Sequence, residues 1–153
     1  MKTIPPVGLD RMIALEEIRS LRARYFRHID TKDWASFAAL FAIGAEMSFP
    51  DDVPGLALRG PREIADTVSV SLADVCSVHH GHMGEISFVA ADRAIGIWAM
   101  EDRLWFGLQS SQPHTRLHGY GHYHDEYVCV DGAWLFARVV LRRLRVGKHD
   151  DIR

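Results

Sequence analysis

Cysteine is scarce in this 153-residue sequence, which has only Cys76 and Cys129. Two thiols so far apart are too few for a disulfide framework or a structural zinc site, so free buried thiols are predicted. No apolar run approaches the roughly 20 residues of a membrane-spanning helix. The first six residues lack an apolar core before a small-residue cleavage site. These absences predict a soluble, cytoplasmic protein with no membrane partner.

An excess of charge of one sign is also missing, because the formal net charge is −2 at pH 7. Nucleic acids and acidic membranes favour a clearly basic face, so neither is expected as a partner. Basic residues near the C-terminus alternate with apolar ones and are predicted to form the solvent side of a last strand: Arg138, Arg142, Arg143, Arg145 and Lys148. With 48% hydrophobic and 25% charged residues, the chain fits one domain with a substantial core.

The first half of the chain has helical periodicity. Apolar residues recur at steps of three and four and predict an amphipathic helix over 10–29. The polar stretch that follows interrupts it, and a short apolar helix over 34–41 is predicted, with Asp30 or Thr31 as its N-cap. Pro61 then opens a helix that extends to about residue 72.

The second half is predicted to be strands. A first strand over 46–49 is followed by an Asp-, Pro- and Gly-rich loop over 50–60, either a lid or an ordinary connection. Asp131-Gly132 between two apolar runs is a strong hairpin signal. The later strands are predicted over 75–89, 93–106, 117–130 and 133–146. Helices followed by an antiparallel meander are typical of an α+β domain over 10–146, between a lead-in over 1–9 and a tail over 147–153.

Three histidines lie close together on the strand predicted over 75–89. Histidine changes its charge near neutral pH, so such a cluster is a candidate for acid–base chemistry. Side chains of a strand alternate between its two faces. If His79 points inward with Gly81 and Met83, then His80 and His82 point towards solvent or a subunit interface. In that arrangement His79 is the candidate, and the other two are predicted to be structural.

Several segments together resemble a known family. They are R-Y-F-R-H-I-D-T-K-D-W, G-P-R-E-I, H-H-G-H-M-G-E-I-S-F-V-A-A-D-R-A-I-G-I-W and G-Y-G-H-Y-H-D-E-Y-V-C-V-D-G-A-W-L-F. Over about residues 10–146 the sequence resembles the SnoaL-like branch of the nuclear-transport-factor-2-like superfamily. The resemblance implies a cone-shaped fold, with N-terminal helices packed on a strongly curved, mostly antiparallel sheet. This fold hosts dehydratases, isomerases, cyclases, dehydrohalogenases and binding proteins, so the reaction is less defined than the fold.

The resemblance is greatest to scytalone dehydratases, bile acid 7α-dehydratases and hexachlorocyclohexane dehydrochlorinases. It implies that Asp30, in I-D-T-K-D-W, pairs with His79, in S-V-H-H-G, which removes a proton inside an apolar cavity. A neutral imidazole is a competent base if a carboxylate accepts its other ring N–H. The alternative is that Asp30 only caps the next helix and that His79 is a satisfied core residue.

The resemblance also implies residues that contact a substrate. A tyrosine near Tyr25 binds substrate or a catalytic water in the dehydratases, and the alternative here is a core aromatic. Asp102 stands where scytalone dehydratase has a second histidine, as a candidate acid or hydrogen-bonding partner. The catalytic arginine of the dehydrochlorinase is matched by Val139, with Arg138 near it, which weakens dehydrohalogenation. Wall residues are expected among the apolar and aromatic side chains Met47, Phe49, Trp98 and Tyr123.

A metal site is the competing chemistry, because His79, His82, His122 and His124 are possible ligands. His122 and His124 alone fit a cupin-like strand motif. No glutamate follows at the cupin spacing, and the helical first half does not suit a jelly roll. No nucleophile elbow is present either. The sequence therefore predicts a cofactor-independent lyase or isomerase acting on a hydrophobic cyclic molecule such as a steroid or polyketide. The alternative is a binding or assembly module, and a homodimer or homotrimer is implied by the resemblance.

Overall fold

A computed structural model describes residues 5–110, 112 and 115–149 of the chain. Its elements, in chain order, are α1 (Gly8–Asp30), α2 (Trp34–Ala38), β1 (Phe41–Ser48), β2 (Ala57–Arg59), α3 (Gly60–Ser71), β3 (Val75–Gly81), β4 (Glu85–Ala90), β5 (Arg93–Phe106), β6 (Arg116–Val130) and β7 (Ala133–His149). The lead-in over 1–9, the tail over 147–153 and the loop after β5 lie partly outside the described residues.

The three helices form where the apolar periodicity predicts them, although some of their first and last residues differ from the predicted ones. The buried face of α1 recurs at steps of three and four and consists of Ala14, Ile18, Leu21, Tyr25 and Ile29, joined by the charged Arg22. The expected caps of α2 are wrong, because the Asp33 carboxylate accepts the hydrogen bond from the Ser36 N–H instead. The Thr31 hydroxyl donates to the Arg27 carbonyl.

The strands form one sheet in the order β2-β1-β7-β6-β5-β3, with β4 also paired to β5. Only the β1–β7 pair is parallel among the strand pairs of the described chain. The hairpin between β6 and β7 turns at Asp131 and Gly132, which both have positive φ, as a tight hairpin turn requires. The predicted α+β fold, with N-terminal helices on a curved, mostly antiparallel sheet, is confirmed.

Some strand boundaries differ from the prediction. The strand predicted over 75–89 is divided into β3 and β4, with a break at residues 82–84. A Cβ added at Gly84 would lie 2.6 Å from the Trp98 ring, so the aromatic side chain fills the space at this break. The loop predicted over 50–60 also contains β2, which pairs with the end of β1 and buries Leu58. β1 begins at Phe41, where a helix was expected.

The core lies between α1, α3 and the concave face of the sheet, and it supplies one wall of the candidate site. The two cysteines contribute little to it: Cys76 is exposed and Cys129 is half-buried, so the expectation of buried thiols is wrong, and the two are not joined by a disulfide. Within the described ranges, no helix has the length and apolar character needed to cross a membrane.

Candidate active site

Asp30 and His79 come into contact where the end of α1 meets β3. The Asp30 Oδ1 lies 2.6 Å from the His79 Nδ1, and the Asp30 Oδ2 accepts a hydrogen bond of 2.8 Å from the His79 backbone N–H. The His79 ring also stacks on Phe26, with centroids 6.5 Å apart and an interplanar angle of 10°. Both carboxylate oxygens and one ring face therefore restrain the orientation of His79.

Strand alternation separates His79 from the neighbouring histidines. His79 is buried, with 9% of its surface exposed, whereas His80 and His82 are exposed. This agrees with the predicted alternation over β3. Met83 does not continue the inward face, because β3 ends at Gly81 and the Met83 side chain is 95% exposed. Gly81 itself lies against Phe26, since an added Cβ would come within 2.5 Å of that ring.

A cavity of about 200 Å³ lies in front of His79. Most of its wall is apolar. The residues that contact it include six from α1, α3 and the loop after β1 (Tyr25, Ile29, Phe49, Leu56, Val68 and Leu72) and six from the sheet (Leu58, His79, Asp102, Tyr123, Leu141 and Arg143). Asp30 lies behind His79. An apolar cavity with few polar groups is typical of a small-molecule site.

The cavity brings together most, but not all, of the side chains predicted to contact a ligand. Phe49, Tyr25, Tyr123 and Asp102 contact it. Met47 does not, because its side chain is fully buried in the core. Trp98 does not either: it lies beyond the cavity wall, where its indole N–H donates a 2.8 Å hydrogen bond to the Tyr127 hydroxyl.

Two tyrosines from different elements meet at the inner end of the cavity. The rings of Tyr25, on α1, and Tyr123, on β6, have centroids 5.8 Å apart. Burial raises the pKa of Tyr25, although the nearby Arg22 opposes the shift. Burial raises the pKa of Tyr123 well above its ordinary value, and the proximity of Tyr25 adds to this. Both hydroxyls therefore stay protonated at neutral pH and can donate hydrogen bonds to a ligand.

Asp102 is paired with Arg143, a cavity residue that the sequence analysis placed on the solvent side of the last strand. Arg143 donates from Nη1 and Nη2 to the two Asp102 oxygens, each at 2.9 Å. Such a bidentate pair requires an ionised carboxylate, which disfavours Asp102 as a general acid. Burial lowers the pKa of Arg143, but the hydrogen bonds and the charge of Asp102 outweigh this, and the pKa is raised. Counting in steps of two from the buried Val139 and Leu141 would have placed Arg143 inward.

The loop between β1 and β2 is tied to β7 at the mouth of the cavity. The Asp52 carboxylate accepts a 2.9 Å hydrogen bond from the Arg143 Nε, and the Asp51 carboxylate accepts one of the same length from the Arg143 backbone N–H. Asp51 also forms an ion pair with Arg142. The loop that was predicted to be a lid or a connection is therefore held in place over the cavity by two carboxylates.

A buried ion pair, also missed from the sequence, lies beneath the two tyrosines. Arg22 is 1% exposed and donates hydrogen bonds from Nε and Nη2 to the Asp125 carboxylate. Its guanidinium lies 4.4 Å from the Tyr25 ring centroid and 4.2 Å from that of Tyr123. Burial lowers the pKa of Arg22, but the attraction of Asp125 outweighs this and the pKa is raised. The sequence feature that could have indicated this buried pair is the position of Arg22 between Leu21 and Tyr25, on the apolar face of α1.

The histidines considered as metal ligands lie on different faces of the sheet. His79 faces the cavity, while His124, on β6, is exposed and pairs in register with Ile97. His122 lies on the same outer face as His124, because odd-numbered residues of β6 are the buried ones. In the described part of the chain, no three His, Cys, Asp or Glu side chains are grouped so that they could hold a metal ion.

Comparison with known proteins gives matches over nearly the whole chain. A family model described as a SnoaL-like domain matches residues 10–140. A hexachlorocyclohexane dehydrochlorinase from Novosphingobium barchaimii is 22% identical, with a TM-score of 0.81 over 95% of this chain and 96% of that chain. A scytalone dehydratase-like protein from Novosphingobium aromaticivorans is also 22% identical, with a TM-score of 0.79 over 94% and 97% of the two chains. At identities this low, the structural similarity establishes the shared fold alone.

Proposed function

Because the chain belongs to the SnoaL-like domain family, we propose that it is a cofactor-independent lyase or isomerase in which His79 is the base and Asp30 orients it. The observation that carries this proposal is the 2.6 Å contact between the Asp30 Oδ1 and the His79 Nδ1, made at the wall of an apolar cavity. Structural relatives include a dehydrochlorinase and a scytalone dehydratase-like protein, which supports an elimination reaction.

The proposed reaction begins with proton transfer to His79. With Nδ1–H donated to Asp30, the Nε2 lone pair is free to accept a proton from a substrate carbon next to a carbonyl or similar group. The C–H electron pair forms the new double bond, and the leaving group departs with its own bonding pair. An isomerase would instead return the proton to another carbon. The Asp30 carboxylate stabilises the imidazolium that forms, as aspartate does in serine-protease triads.

The hydroxyls of Tyr25 and Tyr123 are suited to bind the substrate oxygen or the departing group. Both are buried donors at the inner end of the cavity. Arg143 already pairs with Asp102 and Asp52, so its charge is balanced and does not call for an anionic substrate. A neutral, hydrophobic cyclic molecule, such as a steroid or polyketide fragment, matches this wall best.

Proton abstraction can be tested without knowing the leaving group. We expect the wild-type protein to catalyse exchange of the α-protons of a bicyclic ketone, 1-decalone, with D2O, followed by NMR. His79→Ala should lower the rate by about 100-fold or more, because general-base catalysis typically contributes that much. Asp30→Asn should also lower it, because an amide no longer holds the ring as a carboxylate does.

The matched control for this experiment is His82→Ala, which removes an exposed histidine just beyond β3. It should exchange the ketone at the wild-type rate. Equal exchange by the wild type and His79→Ala, with 1-decalone and with the cyclic β-hydroxy ketone 3-hydroxycyclohexanone, would contradict the proposal.

The second candidate function is a binding module that holds its ligand without turnover. It is favoured by the pairing of Arg143 with two carboxylates, which leaves His79, the two tyrosines and the hydroxyls of Thr67 and Ser71 as the remaining polar groups of the cavity. Saturable binding of 1-decalone with no proton exchange would identify this function. A homodimer or homotrimer and a cytoplasmic location stay predictions, and sedimentation equilibrium would test the first.

A further inference from the structure

Hydrogen bonds continue from Asp30 away from the cavity towards the protein surface. The Ser77 hydroxyl donates to the Asp30 Oδ1 at 2.9 Å. The Lys32 ammonium donates to the Ser77 Oγ, also at 2.9 Å. Ser77 lies two residues before His79 on β3, on the same buried face, and Lys32 lies two residues after the end of α1. Four side chains therefore form one chain of contacts that ends at the cavity: Lys32, Ser77, Asp30 and His79.

The direction of these hydrogen bonds is set by the chemistry of Lys32. An ammonium group has only donors, so the Ser77 oxygen must accept from it with a lone pair. The single hydroxyl proton of Ser77 is then available for Asp30. An ionised carboxylate can only accept hydrogen bonds. Asp30 therefore accepts one from the Ser77 hydroxyl and one from the His79 Nδ1–H. The remaining ring nitrogen, Nε2, carries the lone pair, as a base facing the cavity requires.

Lys32 is held in an unusual backbone conformation that brings its side chain to this position. Its φ is +59°, in the left-handed region that non-glycine residues seldom adopt. Its ammonium lies 5.8 Å from the Trp34 ring centroid, and Ser77 is 5% exposed. Burial lowers the pKa of Lys32, and the nearby Asp30 carboxylate opposes that shift. The lysine is thus half-buried against the site and not extended into solvent.

We propose that Ser77 and Lys32 are positioning residues, which hold the Asp30 carboxylate in place and thereby determine which nitrogen of His79 carries the proton. This inference rests on the proposed role of His79 as the base. The other titratable side chains that line the cavity with His79 are Tyr25, Asp52, Asp102, Tyr123 and Arg143. Asp102 is already held by Arg143. On the Nδ1 side, Asp30 is the contact, so its orientation decides the tautomer.

The experiment is ¹⁵N NMR of the histidine rings in the full chain without any ligand. At about pH 8, above the ordinary pKa of histidine, ring nitrogen shifts report the tautomer directly. The sequence has nine histidines, and the His79 signals are assigned by their loss in His79→Gln. Exchange of the Nδ1 proton with water is measured in the same samples. We expect wild-type His79 to carry its proton on Nδ1 and to exchange it slowly.

Two substitutions change the chain of contacts, and two preserve it. Ser77→Ala removes the donor to Asp30, and Lys32→Glu replaces a donor by an acceptor that takes the Ser77 proton. Each should speed Nδ1 proton exchange about tenfold and shift both ring nitrogens towards a mixture of tautomers, as loss of a charge-assisted hydrogen bond implies. Ser77→Thr and Lys32→Arg keep the same donors and should stay within about twofold of the wild type.

The controls are Ser87→Ala and Lys148→Met, which alter exposed residues of the same types on β4 and β7. Both should leave the His79 signals unchanged. Wild-type ring shifts and exchange in both Ser77→Ala and Lys32→Glu would overturn the proposal, as would equal changes in the controls. If Ser77→Ala does not fold, the pair Lys32→Glu and Lys32→Arg decides. Because no turnover is measured, the outcome is independent of the 1-decalone experiment, which tests the function itself.

Discussion

Asp30 is bound through both carboxylate oxygens, and this distinguishes it from an aspartate that only ends a helix. A capping aspartate accepts from the backbone N–H groups of the helix that follows it. Asp33 does this for α2, while Asp30 accepts from Ser77 and from the backbone and ring of His79. The capping alternative considered for Asp30 is therefore wrong. Its catalytic role remains the proposal that the exchange experiment tests.

Arg22 is the residue for which we expect the largest effect on stability. Arg22→Met should lower the free energy of unfolding by about 3–5 kcal/mol, because it leaves the buried Asp125 carboxylate without its cationic partner. Urea denaturation would measure this. Arg24→Met, an exposed change on the same helix, should stay within about 0.5 kcal/mol of the wild type.

The double variant Arg22→Met with Asp125→Leu checks the cause of this loss. It should be less destabilised than the sum of the two single variants, because the uncompensated charge is gone. Strictly additive losses would show that packing, and not the ion pair, accounts for the effect of Arg22.

At the scale of elements, the site depends on how β3, β5, β6 and β7 are aligned. His79 pairs in register with Asp102, and Asp102 pairs with Gly119 on the next strand. Because Gly119 has no side chain, the Arg143 guanidinium can cross from β7 above β6 to reach Asp102. A Cβ at Gly119 would collide with both the Asp102 carboxylate and the Arg143 guanidinium. The glycine is therefore required for the ion pair at the cavity.

Gly119→Ala should destabilise the protein by about 1–3 kcal/mol, because crowding in a packed region forces side chains and backbone to move. Gly44→Ala is the matched control on β1, where an added Cβ has no atom within 4 Å. It should be neutral or stabilising by up to about 1 kcal/mol, since alanine restricts the unfolded chain. Thermal unfolding of both variants would test this, and equal stability of the two would contradict the crowding argument.

At the scale of the whole molecule, α1 and α3 cover the concave face of the sheet and exclude water from its polar groups. Three of the four tyrosines of the chain lie in this interior: Tyr25, Tyr123 and Tyr127. Burial is the main cause of the raised pKa of each of them. The packing that makes the cavity apolar thus also keeps the buried tyrosines neutral. Their protonation therefore depends on the protein being folded.

This enclosure predicts a loss of stability at alkaline pH. A raised folded-state pKa means that the native protein holds these protons more tightly than the unfolded chain does. Their contribution is complete below the ordinary tyrosine pKa of about 10 and is lost as pH rises above it. Where all three are protonated in the native state and ionised in the unfolded chain, the free energy of unfolding changes with pH by about −4 kcal/mol per pH unit.

Urea denaturation between about pH 8 and pH 12, with phenolate absorbance recorded in parallel, would measure this slope. Tyr123→Phe should reduce its magnitude by about a third, because one of the three groups is removed. Phenolate absorbance from all tyrosines before unfolding would contradict the prediction.

Much of the fold follows from the sequence, because periodicity is a local property. The step of three and four along α1, the alternation on β5 and β6 and the Asp131-Gly132 turn each specify an element without reference to the rest of the chain. The predicted fold class is confirmed, and the family that the resemblance implied is confirmed by the match of the SnoaL-like domain model. The resemblance singled out His79, alternation then placed His80 and His82 on the opposite face, and His79 is buried while the other two are exposed.

Apart from Asp30 and His79, whose pairing the family resemblance implied, only the tertiary structure decided which polar side chains meet. Strand and helix periodicity places Arg143 and Arg22 on buried faces, but a buried arginine is not expected without a partner, and local patterns do not show one. Their burial is possible because Asp102 and Asp125, on other strands, compensate their charge. Ser77 and Lys32 likewise meet Asp30 only when the end of α1 packs beside β3. Periodicity determines which face a side chain occupies, whereas its partner depends on how distant elements pack and compensate one another's charge.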